Sequence, residues 1–133
     1  MQLLKVGRNE AVNRYSVLVV VVCRTRSIAQ ISDESNEIWL SVASVWEMGI
    51  EVGLGKLPLP EPIDRYLASR MKELGARSLE IRADHAIQAG GLPLHHRDPF
   101  DRISIAQAQV EGMTIVTSDR LFDRYEVEIL WND

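Results

Sequence analysis

Residues 95–108 read HHRDPFDRISIAQA, and this stretch combines the start of a helix with two acidic side chains. Asp98 and Asp101 are three positions apart, so a helix that begins here carries both carboxylates on one face near its positive end. The alanine-rich run predicts a helix over Asp98–Val110 that ends at Gly112. Such a pair is either a capping arrangement or part of a metal site, and acids elsewhere in the chain bear on the choice.

Composition favours an ordinary globular domain. The 133 residues suit one domain (residues 1–133), with 26% charged and 46% hydrophobic residues. The net charge of −4 excludes a global basic field, so contact with RNA or DNA needs local Arg or Lys side chains or a bound cation. Cys23 is the single cysteine of the sequence, which excludes an internal disulfide and a cysteine-based zinc site and favours a reducing, cytoplasmic location.

A valine-rich run, Val17–Cys23, predicts a strand that is buried on both faces. The run is too short to cross a bilayer, so no membrane association is expected. Arg14 precedes the run as it would in a signal peptide, but Arg24 and Arg26 follow directly and the small-residue cleavage pattern is missing.

Strands and helices alternate along the chain. This alternation predicts a parallel sheet with helices on both faces. The predicted strands are Val17–Cys23, Glu37–Leu40, Ser78–Ile81, Met113–Thr117 and Val127–Leu130. The predicted helices are Thr25–Glu34, one that Ser41 or Ser44 caps and that runs to about Leu54, one from Pro62 to Gly75, Ala83–Ala89, Asp98–Val110 and a turn over Asp119–Arg124.

The acids fall where such a sheet gathers its ligands. In open α/β sheets the ligand site lies beyond the carboxyl ends of the strands. Asp119 directly follows a strand, Glu47 lies two turns into a helix that follows another, and Asp98 and Asp101 open a third segment. These carboxylates would repel one another unless divalent cations lay between them, and Mg²⁺ or Mn²⁺ suits hard oxygen ligands.

Each acid also has a simpler interpretation. Asp98 before Pro99 is a natural helix N-cap, and Asp119 could cap the turn that follows it. Asp101 could only favour the helix dipole, and Glu47 could be a solvated helix residue. The joint pattern favours a metal site over any of these interpretations taken alone.

Several segments resemble the PIN domain family, and the VapC-type toxins of bacterial toxin–antitoxin pairs most closely. The resemblance covers about Asn36–Trp131. It rests on SVASVWE at residues 41–47, GKL at 55–57, HHRDPFDR at 95–102, IVTSD at 115–119 and the closing Val127–Trp131. It implies a three-layer α/β/α sandwich with a mainly parallel sheet. It also implies a Mg²⁺- or Mn²⁺-dependent endoribonuclease that cleaves RNA and that a cognate antitoxin inhibits, and family members commonly form homodimers.

The resemblance also assigns roles to the acids. Glu47, Asp101 and Asp119 correspond to the family's catalytic and metal-binding acids, while Asp98 either assists as a metal ligand or only caps the helix. The implied mechanism is an in-line attack on phosphorus by a water molecule that the metal activates. Arg97 and Arg102 flank the acid pair, where they either bind substrate phosphates or pair with Asp98 and Asp101.

The beginning of the chain departs from the family pattern. Family members open with a strand that ends in an aspartate, whereas no aspartate precedes Asp33 here and Glu10 is the one acid near the expected position. Loss of this ligand predicts weakened or lost catalysis. The sharp break suggests the hypothesis of a frameshifted or recombined start. Sequencing the locus tests it, and relatives with an intact reading frame for these residues would contradict it.

A second function therefore stays open: a catalytically inactive PIN-like module that binds an antitoxin or itself. Trp46, Leu54 and Leu57 are candidate contacts on apolar helix faces, although burial in the core is the simpler expectation for Trp46. His95 and His96 could ligate metal or contact phosphate, but adjacent histidines at the end of a loop are more often solvated.

Overall fold

A computed structural model describes residues 7–9, 14–19, 36–117 and 119–131, the first two ranges and residue 36 by their backbone. The strands are β1 (Gly7–Asn9), β2 (Arg14–Val19), β3 (Asn36–Ser41), β4 (Arg77–Leu79), β5 (Thr114–Thr117) and β6 (Ile129–Trp131). The helices are α1 (Val42–Gly53), α2 (Ile63–Leu74), α3 (Ala83–Gly90) and α4 (Pro99–Glu111), and a 3₁₀ helix covers Arg120–Arg124.

The strands form one sheet in the order β4-β3-β2-β5-β6, with β1 antiparallel to β2 and every other pair parallel. The valine-rich strand β2 lies between β3 and β5, as its run of β-branched residues predicts for a central parallel strand. The rest of that run, Val20–Cys23, and the predicted helix Thr25–Glu34 lie outside the described residues.

Helices cover both faces of the sheet, which makes the domain a three-layer α/β/α fold. Side chains alternate along β3, so Ile38 and Leu40 face one side and Trp39 the other. The first side packs with Val116 against α2 through Leu67, Met71 and Leu74. The opposite side packs against α4, in a cluster that includes Leu79, Ile105, Ala106, Ala108, Ile115 and Phe122.

The ends of the helices lie where the sequence predicts them. Ser41 caps α1, since its Oγ accepts the backbone N–H of Ala43 at 3.1 Å. Gly75 ends α2 at φ 64° and Gly112 ends α4 at φ 63°, a left-handed conformation that glycine adopts without the steric cost of a Cβ atom.

Several features differ from the sequence-based predictions, and three of them have a clear physical reason. Strand β4 covers Arg77–Leu79 because its pairing with β3 ends where β3 does, at Ser41. Strand β6 begins only at Ile129, since the N–H of Val127 is already bonded to the carbonyl of Tyr125 in a turn. The expectation that Trp46 is buried is wrong, because this residue is 63% exposed on the outer face of α1.

In the part of the chain that the structure describes, the helices are too short or too polar to cross a bilayer.

Candidate functional site

The candidate site lies at the carboxyl edge of the sheet, where the strand order reverses. From β2 the chain proceeds through β3 to β4 in one direction, and β5 and β6 extend the sheet in the other. Open α/β sheets bind ligands at such a switch point. Helix α1 leaves this edge after β3, and Asp119 follows β5, so the topology alone brings Glu47 and Asp119 to the same edge.

A buried polar strut fixes α1 against α4 beside the site. Ser41 Oγ donates to Gln107 Oε1 at 2.6 Å, and Gln107 Nε2 donates to the carbonyl of Glu80 at 3.2 Å. Both Ser41 and Gln107 are fully buried, so these bonds are protected from competition by water. The strut sets the helix that carries Glu47 relative to the helix that carries Asp101.

Asp98 caps α4, as its position before Pro99 predicts. Its Oδ1 accepts the backbone N–H of Phe100 at 2.8 Å and that of Asp101 at 3.3 Å. The cap leaves Asp101 in the first turn of α4, where the positive end of the helix dipole favours a carboxylate.

His96 bridges the two acids of the predicted site. Its Nε2 lies 2.9 Å from Asp101 Oδ2 and 3.2 Å from Asp119 Oδ2. Asp119 uses its other oxygen, Oδ1, to accept the N–H of Leu121 at 3.0 Å, so the capping interpretation of Asp119 also holds. One ligand atom from each of His96, Asp101 and Asp119 lies within 4.8 Å of the others.

The site carries an excess of negative charge. Burial first, and then the charges of Asp98, Glu47 and Asp119, raise the pKa of Asp101 to about 7 against the opposing effect of His96. Burial first, and then the charges of Asp98 and Glu51, raise the pKa of Glu47 to about 7. The acids from three segments therefore lie close enough to act on one another electrostatically.

These residues fit a divalent cation. Carboxylate oxygens are the donors that Mg²⁺ and Mn²⁺ prefer, and a cation would offset the repulsion that raises the pKa of Asp101. Asp101 and Asp119 each supply a carboxylate oxygen to the group of ligand atoms within 4.8 Å of one another. Glu47 and Asp98 contribute no atom to this group, but their charges raise the pKa of Asp101.

Arg102 has a different role from the predicted ones. Its Nη1 donates to the carbonyl of Pro93 at 2.8 Å, and its Nη2 donates to the carbonyls of Ala89 and Leu92 at 3.0 Å each. The guanidinium therefore holds the loop before α4, which argues against both a phosphate contact and a pair with Asp98 or Asp101. Arg97 is exposed and has no partner within the described ranges.

Sequence reasoning missed the roles of His96 and Tyr125. The Tyr125 hydroxyl accepts the backbone N–H of His96 at 2.7 Å and donates to the carbonyl of Pro93 at 2.8 Å, so it places the histidine backbone. His95 is exposed and meets the Tyr125 ring edge-on at 5.3 Å. The position of His96 two residues before a capping aspartate was the available signal, since a short segment there keeps the ring near the start of the helix.

Comparisons with known proteins identify the family of the chain. The sequence model of the PIN domain family matches residues 16–128. Over 65 residues the chain is 48% identical to ribonuclease VapC16 of Mycobacterium tuberculosis, a match that covers 49% of this chain and 43% of that relative. The match thus spans less than half the length of that relative. No solved structure shows significant similarity to the chain. Since the family model spans most of its residues, the chain belongs to the PIN domain family.

Proposed function

We propose that this chain is a metal-dependent endoribonuclease of the VapC type that uses Mg²⁺ or Mn²⁺ to cleave RNA. The observation that carries the proposal is the convergence of Asp101 and Asp119, from two separate segments, on one point of the sheet edge with Glu47 nearby. The similarity to a ribonuclease agrees with this chemistry.

Different residues of the chain would have different roles in the cleavage reaction. Asp101 and Asp119 would hold the cation, and Asp98 keeps Asp101 in place through the cap of α4. Glu47, whose pKa is raised to about 7, is suited to accept a proton from an attacking water molecule near neutral pH. A bound divalent cation would supply positive charge that polarises this water and the scissile phosphate. Arg97 at the rim of the site is a candidate for contact with a neighbouring phosphate.

The ligand set of this chain is incomplete at the central strand. Strand β2 lies between the strands that lead to Glu47 and Asp119, and the sequence after it contains no acid until Asp33. A missing carboxylate removes on the order of several kcal/mol of transition-state stabilisation. We therefore expect cleavage to be slower by a few orders of magnitude than with a full set of acids.

An apolar stripe on α1 supports the proposed protein partners. Trp46 is 63% exposed and Leu54 is 64% exposed, and Val42 and Ile50 lie at the same four-residue spacing. Large exposed apolar side chains in a row mark protein–protein contacts. This stripe would bind a cognate antitoxin or a second copy of the chain, and it is equally the surface that an inactive PIN-like module would use. The proposed RNA substrate implies a cytoplasmic location.

A cleavage assay with end-labelled RNA at pH 8 tests the proposed function. Wild-type protein is expected to cleave with Mg²⁺ or Mn²⁺ and not with a chelator. Asp101→Asn should lower the rate at least about 100-fold, since it removes the central carboxylate. Asp64→Asn, which changes an exposed acid in the first turn of α2, is the matched control and should leave the rate unchanged.

Cleavage that survives in the chelator or in Asp101→Asn would exclude the proposed chemistry. If neither the wild type nor the variants cleave RNA at high Mn²⁺ concentration, the result would favour the inactive PIN-like module. A calorimetric titration with Mn²⁺ then shows whether the site still binds metal.

A further inference from the structure

The hydrogen bonds of His96 fix which ring nitrogen carries its proton. Nδ1 lies 3.2 Å from the backbone nitrogen of Asp98 and accepts its N–H. A nitrogen that accepts a hydrogen bond is unprotonated, so the proton of the ring is on Nε2. This assignment follows from the hydrogen-bond network around the ring.

The Nε2–H group points between the two acids of the site. It lies 2.9 Å from Asp101 Oδ2 and 3.2 Å from Asp119 Oδ2, so one proton is shared by both carboxylates. The proton thus lies where the oxygens that would hold a cation come together.

The ring is held in this position from several sides. The backbone N–H of His96 donates to Tyr125 Oη at 2.7 Å, and its carbonyl accepts from Arg102 Nη1 at 3.2 Å. The ring meets Phe122 edge-on at 6.0 Å, and its side chain is only 11% exposed. Rotation of the ring would break the bond to Asp98 and both contacts with the carboxylates.

We propose that His96 is a positioning residue that competes with the divalent cation for Asp101 and Asp119, and that it is not a metal ligand. The inference rests on the metal site of the proposed function. Ligation through Nε2 would move the ring proton to Nδ1, where it would face the N–H of Asp98. In the structure as it stands, Nε2 can only donate.

Two functions follow from this arrangement. Without metal, the shared proton offsets the repulsion between Asp101 and Asp119 and keeps their oxygens together. Asp101 and Asp119 would have to give up the hydrogen bonds from Nε2 to bind a cation, so His96 would lower the affinity of the site.

Two substitutions separate the nitrogens of the ring. In His96→Asn the side-chain oxygen can still accept the N–H of Asp98, but no donor reaches the carboxylates. In His96→Gln the amide nitrogen lies near the position of Nε2 and keeps a donor there. We expect His96→Asn to bind Mg²⁺ roughly tenfold more tightly than wild type in calorimetry, and His96→Gln to bind it within about threefold of wild type.

Nitrogen-15 NMR of the imidazole is the direct readout. The metal-free protein should show an unprotonated Nδ1 and a protonated Nε2 for His96, with an Nε2–H signal that shifts in Asp101→Asn. On addition of Mg²⁺ the same tautomer should remain while the Nε2–H signal moves and exchanges faster with water. Loss of the Nε2 proton on addition of Mg²⁺ would overturn the inference and make His96 a ligand. Weaker Mg²⁺ binding in His96→Asn would contradict the proposed competition.

The failure of the inference differs from that of the proposed function. Weaker binding in His96→Asn contradicts the role of His96 alone and leaves the metal site intact. Absence of Mg²⁺ binding in wild type and in both variants would overturn the proposed metal site and the competition together.

Discussion

At the scale of single residues, the site is defined by carboxylates whose burial and mutual repulsion lower the stability of the metal-free protein. Asp101 lies in a half-buried position among Asp98, Glu47 and Asp119, and burial and these charges raise its pKa to about 7. The shared proton of His96 and the positive end of the α4 dipole partly offset that repulsion. Such an arrangement favours the binding of a cation and lowers the stability of the metal-free protein. Functional sites commonly show this compromise between function and stability.

Asp101→Asn is therefore expected to stabilise the metal-free protein at pH 8. The amide removes a repelled charge, and its oxygen can still accept from His96, so we expect a gain of about 1 kcal/mol. Thermal unfolding in the presence of a chelator measures the change, with Asp64→Asn as the control. A loss of 1 kcal/mol or more would show that the carboxylate is well compensated in the folded protein.

The same charges predict the direction of the pH dependence. Asp101 and Glu47 have ordinary pKa values of 3.8 and 4.5, and burial and neighbouring acids raise both to about 7 in the folded protein. The folded state thus binds more protons than the unfolded state in this window, so the free energy of unfolding of the metal-free protein falls as pH rises from about 4 to 7.

Melting temperatures between pH 5 and 8 in a chelator test this prediction. Above pH 5, Glu111 stays ionised because hydrogen bonds from His85 and Arg82 outweigh its burial and lower its pKa. Added Mg²⁺ should raise the melting temperature more at pH 8 than at pH 5, since the ligands must ionise to bind it. A melting temperature that rises with pH in the metal-free protein would contradict the raised pKa values.

The positions of the acids at the sheet edge could be predicted from the sequence, and the orientation of His96 could not. Glu47, Asp98, Asp101 and Asp119 lie at fixed offsets from helix starts or strand ends, so local patterns alone place them at the sheet edge. The orientation of His96 depends on the hydroxyl of Tyr125, 29 residues away, which accepts its backbone N–H. It also depends on Arg102, which donates to its carbonyl. No periodic pattern encodes such contacts.

At the scale of secondary-structure elements, the site depends on how α1 is held against α4. The strut from Ser41 through Gln107 to the carbonyl of Glu80 links β3, α4 and the segment after β4. Buried polar groups of this kind are costly to leave without partners.

Gln107→Leu should lower the free energy of unfolding by about 2–3 kcal/mol, because it leaves the Glu80 carbonyl and the Ser41 hydroxyl without their partner. Gln109→Leu is the matched control, two positions along the same helix, where the amide bonds are exposed. Urea unfolding measures both variants. Equal effects of the two substitutions would show that the strut contributes no specific stability.

Helix boundaries follow from the sequence more closely than strand boundaries do. Ser41, Pro99, Gly75 and Gly112 mark helix ends through their own side chains or backbone preferences. The short strands depend on the length of the neighbouring strand. The pairing of β4 with β3 therefore sets its residues, which local sequence does not reveal.

At the scale of the whole molecule, the outer face of α1 is available for a partner. The ring of Trp46 packs edge-on against Phe100 at 5.0 Å, but the residue is largely exposed, and Leu54 extends the stripe by two turns. The position of α1 after Glu37–Leu40 is predictable, whereas the burial of each of its faces depends on the packing of α4.

Trp46→Glu should weaken association of the chain with itself or with a co-expressed antitoxin at least about tenfold, because exposed tryptophans contribute strongly to interfaces. Its melting temperature should change by only a few degrees. Ile87→Glu on α3 is the control, since Ile87 is also highly exposed but lies on another helix. Sedimentation at several concentrations gives the result, and equal weakening by both substitutions would exclude α1 as a specific interface.

Acids from separate segments are expected to meet around one divalent cation. A crystal of the full chain grown with Mn²⁺ at pH 8 tests it through the anomalous scattering of the metal. We predict one strong anomalous peak in contact with the carboxylate oxygens of Asp101 and Asp119, on the side that faces Glu47. A map with no peak between these carboxylates, or with the strongest peak elsewhere on the molecule, would exclude a metal site at this edge of the sheet.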